Sequence, residues 1–126
     1  MSKRILIVDD SPVVLALHKY ALERAGYHCT TAPNGYSALE QLFGEPFAVV
    51  ISDVNMPRMD GYELAKNIRK TRGYEFIPII LISSGEGSQD RAKGIASGAD
   101  LYMCKPVEPA TLIANVNMLS GQQRSS

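Results

Sequence analysis

The chain has 126 residues, 45% of them hydrophobic and 21% charged, a composition that suits one globular domain with a sizeable core. Thirteen basic and thirteen acidic residues cancel, which excludes bulk electrostatic attraction to nucleic acid or to an anionic membrane. The apolar run after Lys3 and Arg4 is too short for a secretory signal, and no stretch approaches the roughly 18 apolar residues of a membrane span, so a cytoplasmic location is expected.

In chain order, short apolar runs alternate with helical patterns. The first run is RILIV (4–8). After it, PVVLALHKYALERA (12–25) repeats apolar residues at helical spacing, with Val13, Val14, Leu17, Ala21 and Ala25 as the expected inward face. Ser11 is placed to cap this helix, Pro12 suits its first position and Gly26 its end. HCTTA (28–32) predicts a second strand and GYSALEQLF (35–43) a second helix. AVVIS (48–52) is the third strand, followed by a helix over about 61–71 with Leu64, Ala65 and Ile68 inward and Asp60 as its cap. PIILIS (78–83) is the fourth strand, and a weak helix follows over about 89–97. LYMC (101–104) is the fifth strand, and a helix over about 108–119 buries Leu112, Val116 and Leu119. The segment 121–126 is a polar tail, expected to fray, which leaves a core over about 3–120.

Strict alternation of five strands and five helices predicts a single α/β domain, 1–126, with a parallel sheet and helices on both faces. The first, third and fourth runs are continuously apolar, as strands covered on both faces must be. In such sheets, sites form at the carboxyl ends of the strands. Asp9 and Asp10 follow the first strand, Asp53 stands at the tip of the third with Asn55 just beyond, Ser83 and Ser84 end the fourth, and Lys105 ends the fifth. Three adjacent carboxylates cannot all remain ionised without a countercharge. A hard divalent cation resolves the conflict, and Mg2+ fits best, because it takes one or two carboxylates and keeps waters that exchange for phosphate oxygens. An aspartate in that setting is a competent nucleophile toward phosphorus, with Lys105 as a second positive charge and Ser83 as a hydrogen-bond donor to a phosphoryl oxygen.

Four segments, VDDS (8–11), SDVNMPRMDG (52–61), PIILIS (78–83) and GADLYMCKP (98–106), occur in this order along the chain. Together they resemble the receiver domains of bacterial response regulators, the stand-alone chemotaxis regulators above all. The resemblance covers about residues 3–120. It implies a flavodoxin-like sheet of order 2-1-3-4-5 and a phosphorylation-controlled signalling switch rather than an enzyme proper. Asp53 resembles the phosphoacceptor. Asp10, Asp53 and the Asn55 backbone carbonyl resemble metal ligands, Asp9 joins them through a metal-bound water, and Mn2+ is an expected substitute for Mg2+. Lys105 resembles the phosphate-pairing lysine, preceding a cis bond to Pro106. Ser83 resembles the switch hydroxyl and Tyr102 the switch aromatic. The implied partners are a sensor histidine kinase or histidine phosphotransfer protein as donor, and a downstream protein or fused output domain that reads the surface of the last two helices and the strand between them. No direct contact with nucleic acid or membrane is implied.

Rival readings turn on single residues. An aspartate-nucleophile phosphatase carries a second acid two residues after its nucleophile, where Asn55 stands here. A flavin-binding protein of this topology needs a Ser/Thr/Gly-rich loop after the first strand, and DDSPVV would repel a flavin phosphate. A phosphorylation-independent scaffold would not need Asp10, Asp53 and Lys105 together. SGEGS (84–88) lacks the Gly-Lys-Ser/Thr ending of a phosphate-cradling loop. His18 and His28 are expected to be structural and remote from the acidic edge. Cys29 and Cys104, read as small buried residues on strands two and five, would be separated by four strand spacings, roughly 19 Å, too far for a disulfide. The small Ser84 and Gly85 are expected to leave the site open to water and small phosphodonors, and the weak fourth helix to be the most mobile.

Overall fold

A computed structural model describes residues 3–44, 46–85 and 88–124. Ten elements alternate: β1 (Arg4–Val8), α1 (Pro12–Arg24), β2 (His28–Ala32), α2 (Gly35–Leu42), β3 (Val49–Asp53), α3 (Gly61–Arg69), β4 (Ile79–Ser83), α4 (Ser88–Ala96), β5 (Leu101–Cys104) and α5 (Pro109–Arg124). The five strands are all parallel and run in the order β2-β1-β3-β4-β5. Every residue of β3 and β4 is buried, because helices cover both sides of these central strands.

Alternate strand residues feed two cores. Leu6, Val8, Val50 and Leu81 face one side with Leu64, Ala65 and Ile68 of α3. Ile5, Ile7, Ile51 and Ile80 face the other, against Leu22 of α1 and Leu112, Val116 and Leu119 of α5. The inward faces of α3 and α5 are those their periodicity predicts. That of α1 is not. Val13 and Leu17 are 68% and 63% exposed, and the helix instead turns Leu22, with partly buried Leu15, toward the sheet. Apolar residues surround nearly the whole first half of α1, so spacing alone admits two faces.

The helix starts follow the local chemistry. The Ser11 side chain accepts from the Val14 N–H, Pro12 is the first residue of α1, and Gly26 follows its end at φ 103°. Asp60 and Glu63 form a reciprocal capping box on α3. At its far end α5 runs past the predicted boundary near 119. The helix continues through Arg124, carrying Gly121 within its hydrogen-bonded turns, while Ser125 and Ser126 of the tail lie outside the described residues. Cys29 and Cys104 are free and half-buried, on edge strands at opposite ends of the sheet. Burial pushes the Cys29 thiol up to about 11, with Glu23 adding to the effect. Among the described residues no helix is long and apolar enough to cross a membrane.

Candidate functional site

Strand register builds the site. Val8 pairs with Ser52, so Asp9, one residue on, arrives beside Asp53 at the carboxyl ends of β1 and β3. Asp9, Asp10 and Asp53 each offer a carboxylate oxygen, and these atoms lie within 4.8 Å of one another. Asp9 and Asp53 are buried, at 4% and 3% exposure, whereas Asp10 is open to solvent. β4 intervenes between β3 and β5, and the Lys105 side chain crosses that gap, roughly 10 Å of sheet, to place Nζ 2.9 Å from Asp53 Oδ1. The backbone at the root of this lysine is held by its N–H, which donates to the Ser83 carbonyl at 2.8 Å. As the resemblance implies, the Lys105–Pro106 bond is cis.

The electrostatics are unbalanced. Burial raises the Asp9 carboxyl above its ordinary value; the Ser11 N–H on its Oδ1 opposes this, the Asp53 charge adds to it, Lys105 opposes and Asp10 adds. Lys105 is held above the ordinary lysine range by its contact with Asp53, against the cost of burial. The ion pair satisfies Asp53 only in part. The lysine approaches at hydrogen-bond distance but obliquely, and Asp53 Oδ1 is a buried oxygen with no aligned donor. A buried carboxylate flanked by two more carboxylates is an all-oxygen donor set suited to a hard cation. These residues therefore fit Mg2+.

The remaining predicted residues stand around this cluster. The Ser83 hydroxyl is buried and accepts from the Gly85 N–H at 3.0 Å. The Asn55 side chain, exposed, reaches across to donate to Ser84 Oγ at 3.2 Å. Tyr102 is 6% exposed and donates its hydroxyl to the Gly85 carbonyl at 2.9 Å. Its ring already lies inward, because Gly94 of α4 has no side chain there: a Cβ at Gly94 would stand 2.8 Å from Tyr102 Cδ1. Glu86 and Gly87 of the SGEGS loop lie outside the described residues.

His28 is on β2, exposed and unconnected to the site. His18 is closer than expected. It is half-buried, and its pKa is lowered by burial, then by the Lys105 charge, against a smaller opposing effect of Asp53. It lines a groove of about 610 Å³ between α1 and the start of α5, with Leu17, Tyr20, Val107, Pro109 and Ile113. Sequence reasoning passed over Tyr62, which is buried on α3 and donates its hydroxyl to the Asp90 carbonyl at 3.4 Å. The signal was weak, since a single aromatic beside a capping box reads as ordinary core.

Comparison with known proteins agrees with this arrangement. The sequence model of the response regulator receiver domain matches residues 5–117. The chain is 35% identical over 119 residues to the alkaline phosphatase synthesis transcriptional regulatory protein PhoP of Bacillus subtilis, aligning 94% of itself with 49% of that protein. It therefore spans about half the length of this relative. It is also 39% identical to an uncharacterized 14.6 kDa protein of Leptolyngbya boryana, over 86% of this chain and 83% of that one. Among solved structures it resembles the chemotaxis protein CheY4 of Vibrio cholerae, with a TM-score of 0.90 and 34% identity over 94% of this chain and 99% of the other. The beryllofluoride-activated DrrB receiver domain superposes with a TM-score of 0.85 at 32% identity, over 94% and 97% of the two chains. The chain belongs to the response regulator receiver domain family.

Proposed function

We propose that this chain is a phosphorylation-controlled switch whose acceptor is Asp53. The observation that carries the reading is the buried Asp53 carboxylate, paired to Lys105 at 2.9 Å and set amid two further acids. The donor is a phosphohistidine on a sensor kinase or phosphotransfer protein. A carboxylate oxygen of Asp53 attacks phosphorus in line, the P–N bond breaks, and the imidazole leaves with the bonding electrons and takes a proton from solvent. Asp10, Asp53 and the Asn55 carbonyl would hold Mg2+, with Asp9 reaching it through water; when bound, the ion neutralises charge on the phosphoryl oxygens. Lys105 exchanges its partner from the Asp53 carboxylate to the phosphoryl oxygens.

The donor approaches from the α1 side. Val13, Leu17 and Tyr20 are all more than 60% exposed there, an apolar ridge that begins three residues beyond Asp10 and borders the groove lined by Val107 and Pro109. Such a ridge suits the apolar side of a helix on the donor. After transfer the site gains about two negative charges at neutral pH. The Ser83 hydroxyl turns from the Gly85 N–H to a phosphoryl oxygen. Tyr102 is already inward, so the change it reports is movement of the Gly85 carbonyl it grips rather than a vacancy it fills. The surface of α4, β5 and α5 then shifts population between two states, and a downstream protein or fused output domain reads it.

Beryllofluoride is a stable mimic of the aspartyl phosphate, and fluorine NMR reads it directly. Wild-type protein is expected to show bound fluorine resonances only when Mg2+ is present, and Asp53→Asn to show none. Binding without Mg2+, or to the Asp53→Asn variant, contradicts the assignment.

A further inference from the structure

The fourth helix has almost nothing of its own to hold it down. From Gln89 to Ala96 every described side chain is exposed except half-buried Asp90, and the one buried residue, Gly94, has no side chain. A helix without a buried apolar stripe gains little from packing. Its attachment comes instead from two tyrosines of other elements, used in the same way. Tyr102 of β5 gives its hydroxyl to the Gly85 carbonyl just before α4, and Arg91 of α4 covers its ring at 5.3 Å. Tyr62 of α3 gives its hydroxyl to the Asp90 carbonyl in the first turn of α4, and Lys93 of α4 covers its ring at 4.8 Å. Arg91 also donates to the Tyr102 carbonyl at 3.3 Å, and the missing Cβ of Gly94 lets the Tyr102 ring close under the helix. Burial pushes the Tyr62 hydroxyl up to about 12, and the neighbouring Tyr102 side chain adds to it.

We infer that Tyr62 is a second positioning arm of the switch, working beside Tyr102 in a clamp of two separate hydroxyls, one on the Gly85 carbonyl and one on the Asp90 carbonyl, that sets how firmly α4 is docked. The inference rests on the phosphorylation reading above for its consequence, but not for the clamp itself. The route to the site is short. Ser83 Oγ accepts from the Gly85 N–H, and the Gly85 carbonyl accepts from Tyr102. A Ser83 hydroxyl that turns away therefore loosens the same residue that anchors Tyr102. Tyr62 holds the first turn of α4 through the Asp90 carbonyl, so its bond decides how far the helix follows when the Gly85 anchor loosens. A firmer clamp opposes the change, and a weaker one favours it.

Tyr62→Phe keeps the ring and its cation and removes only the hydroxyl. In protein free of Mg2+ and phosphodonor, α4 amides of the variant are expected to exchange about threefold to tenfold faster, the range one net hydrogen bond supports, with α1 and α3 unchanged. Tyr74→Phe, on the loop between α3 and β4, is expected to leave α4 as it is. With Mg2+, the variant is expected to bind beryllofluoride more tightly by a similar factor. Unchanged α4 exchange overturns the clamp, as does equal acceleration of α1 and α3, which would make Tyr62 a plain core residue. Faster α4 exchange with unchanged beryllofluoride affinity overturns the coupling to the site. A wild-type protein that binds no beryllofluoride refutes the phosphorylation reading, and the exchange data then decide the clamp alone.

Discussion

Asp9→Asn is expected to stabilise the metal-free protein by about 1 kcal/mol while weakening Mg2+ affinity at least about tenfold. The two effects have one cause. Asp9 is buried beside Asp53 and Asp10, and the Ser11 N–H and the Lys105 charge offset this only in part. Its pKa is raised by burial first, so protonated Asp9 favours the folded state. That contribution is complete below the ordinary carboxylate pKa and is lost as pH rises through the raised folded value. At neutral pH the charged carboxylate is thus a net cost, which asparagine removes while its carbonyl oxygen keeps the bond from the Ser11 N–H. The same charge is what a cation needs. Urea unfolding checks both halves. In EDTA the variant is expected to be the more stable protein. At Mg2+ a hundredfold above its dissociation constant, the wild type is expected to gain about 2.7 kcal/mol and the variant much less. A variant less stable than wild type in EDTA contradicts the account of the acidic cluster.

The second large effect is expected at Gly61. Its amide donates to the Val54 carbonyl at 2.9 Å, which folds the start of α3 directly against the end of β3. A Cβ there would stand 2.5 Å from the Asp53 carbonyl oxygen and 2.8 Å from Val54 Cα. Both are buried backbone atoms, one at the end of β3 and one just past it, and cannot swing aside. Gly61→Ala is expected to cost about 3 kcal/mol and, by displacing the backbone of the acceptor itself, to cut phosphoryl transfer as well. Gly44→Ala is the control, since its Cβ would meet nothing closer than the Gln41 carbonyl at 3.6 Å. Equal unfolding midpoints for the two variants would show that the turn can yield.

The sheet was legible because its strands are short apolar runs ending in polar residues, and that pattern has few alternatives in a chain this size. The site was legible for the same reason. Asp53 and Ser83 are the last residues of their strands, Asp9 and Lys105 the first residues past theirs, and parallel register brings strand ends together. What stayed hidden depends on which way a helix rolls. The α1 face was misjudged because Val13, Val14, Leu15 and Leu17 offer apolar groups in nearly every direction, and only packing on the sheet selects Leu15 and Leu22. That roll also brings His18 within reach of the charges at the site. Tyr62 was missed because its role lies in a hydroxyl that meets another helix's backbone, a contact that has no periodicity. The continuation of α5 past Gly121 was likewise unreadable from polar residues with no breaker stronger than one glycine.

Intact mass after incubation with acetyl phosphate tests the central claim most directly, run with Mg2+, with EDTA, and with Asp53→Asn. The expected result is a single phosphoryl adduct on the wild type, formed only with Mg2+ and absent from the variant. No adduct on folded, Mg2+-loaded wild type, or an adduct that survives Asp53→Asn, would contradict phosphoryl transfer to Asp53.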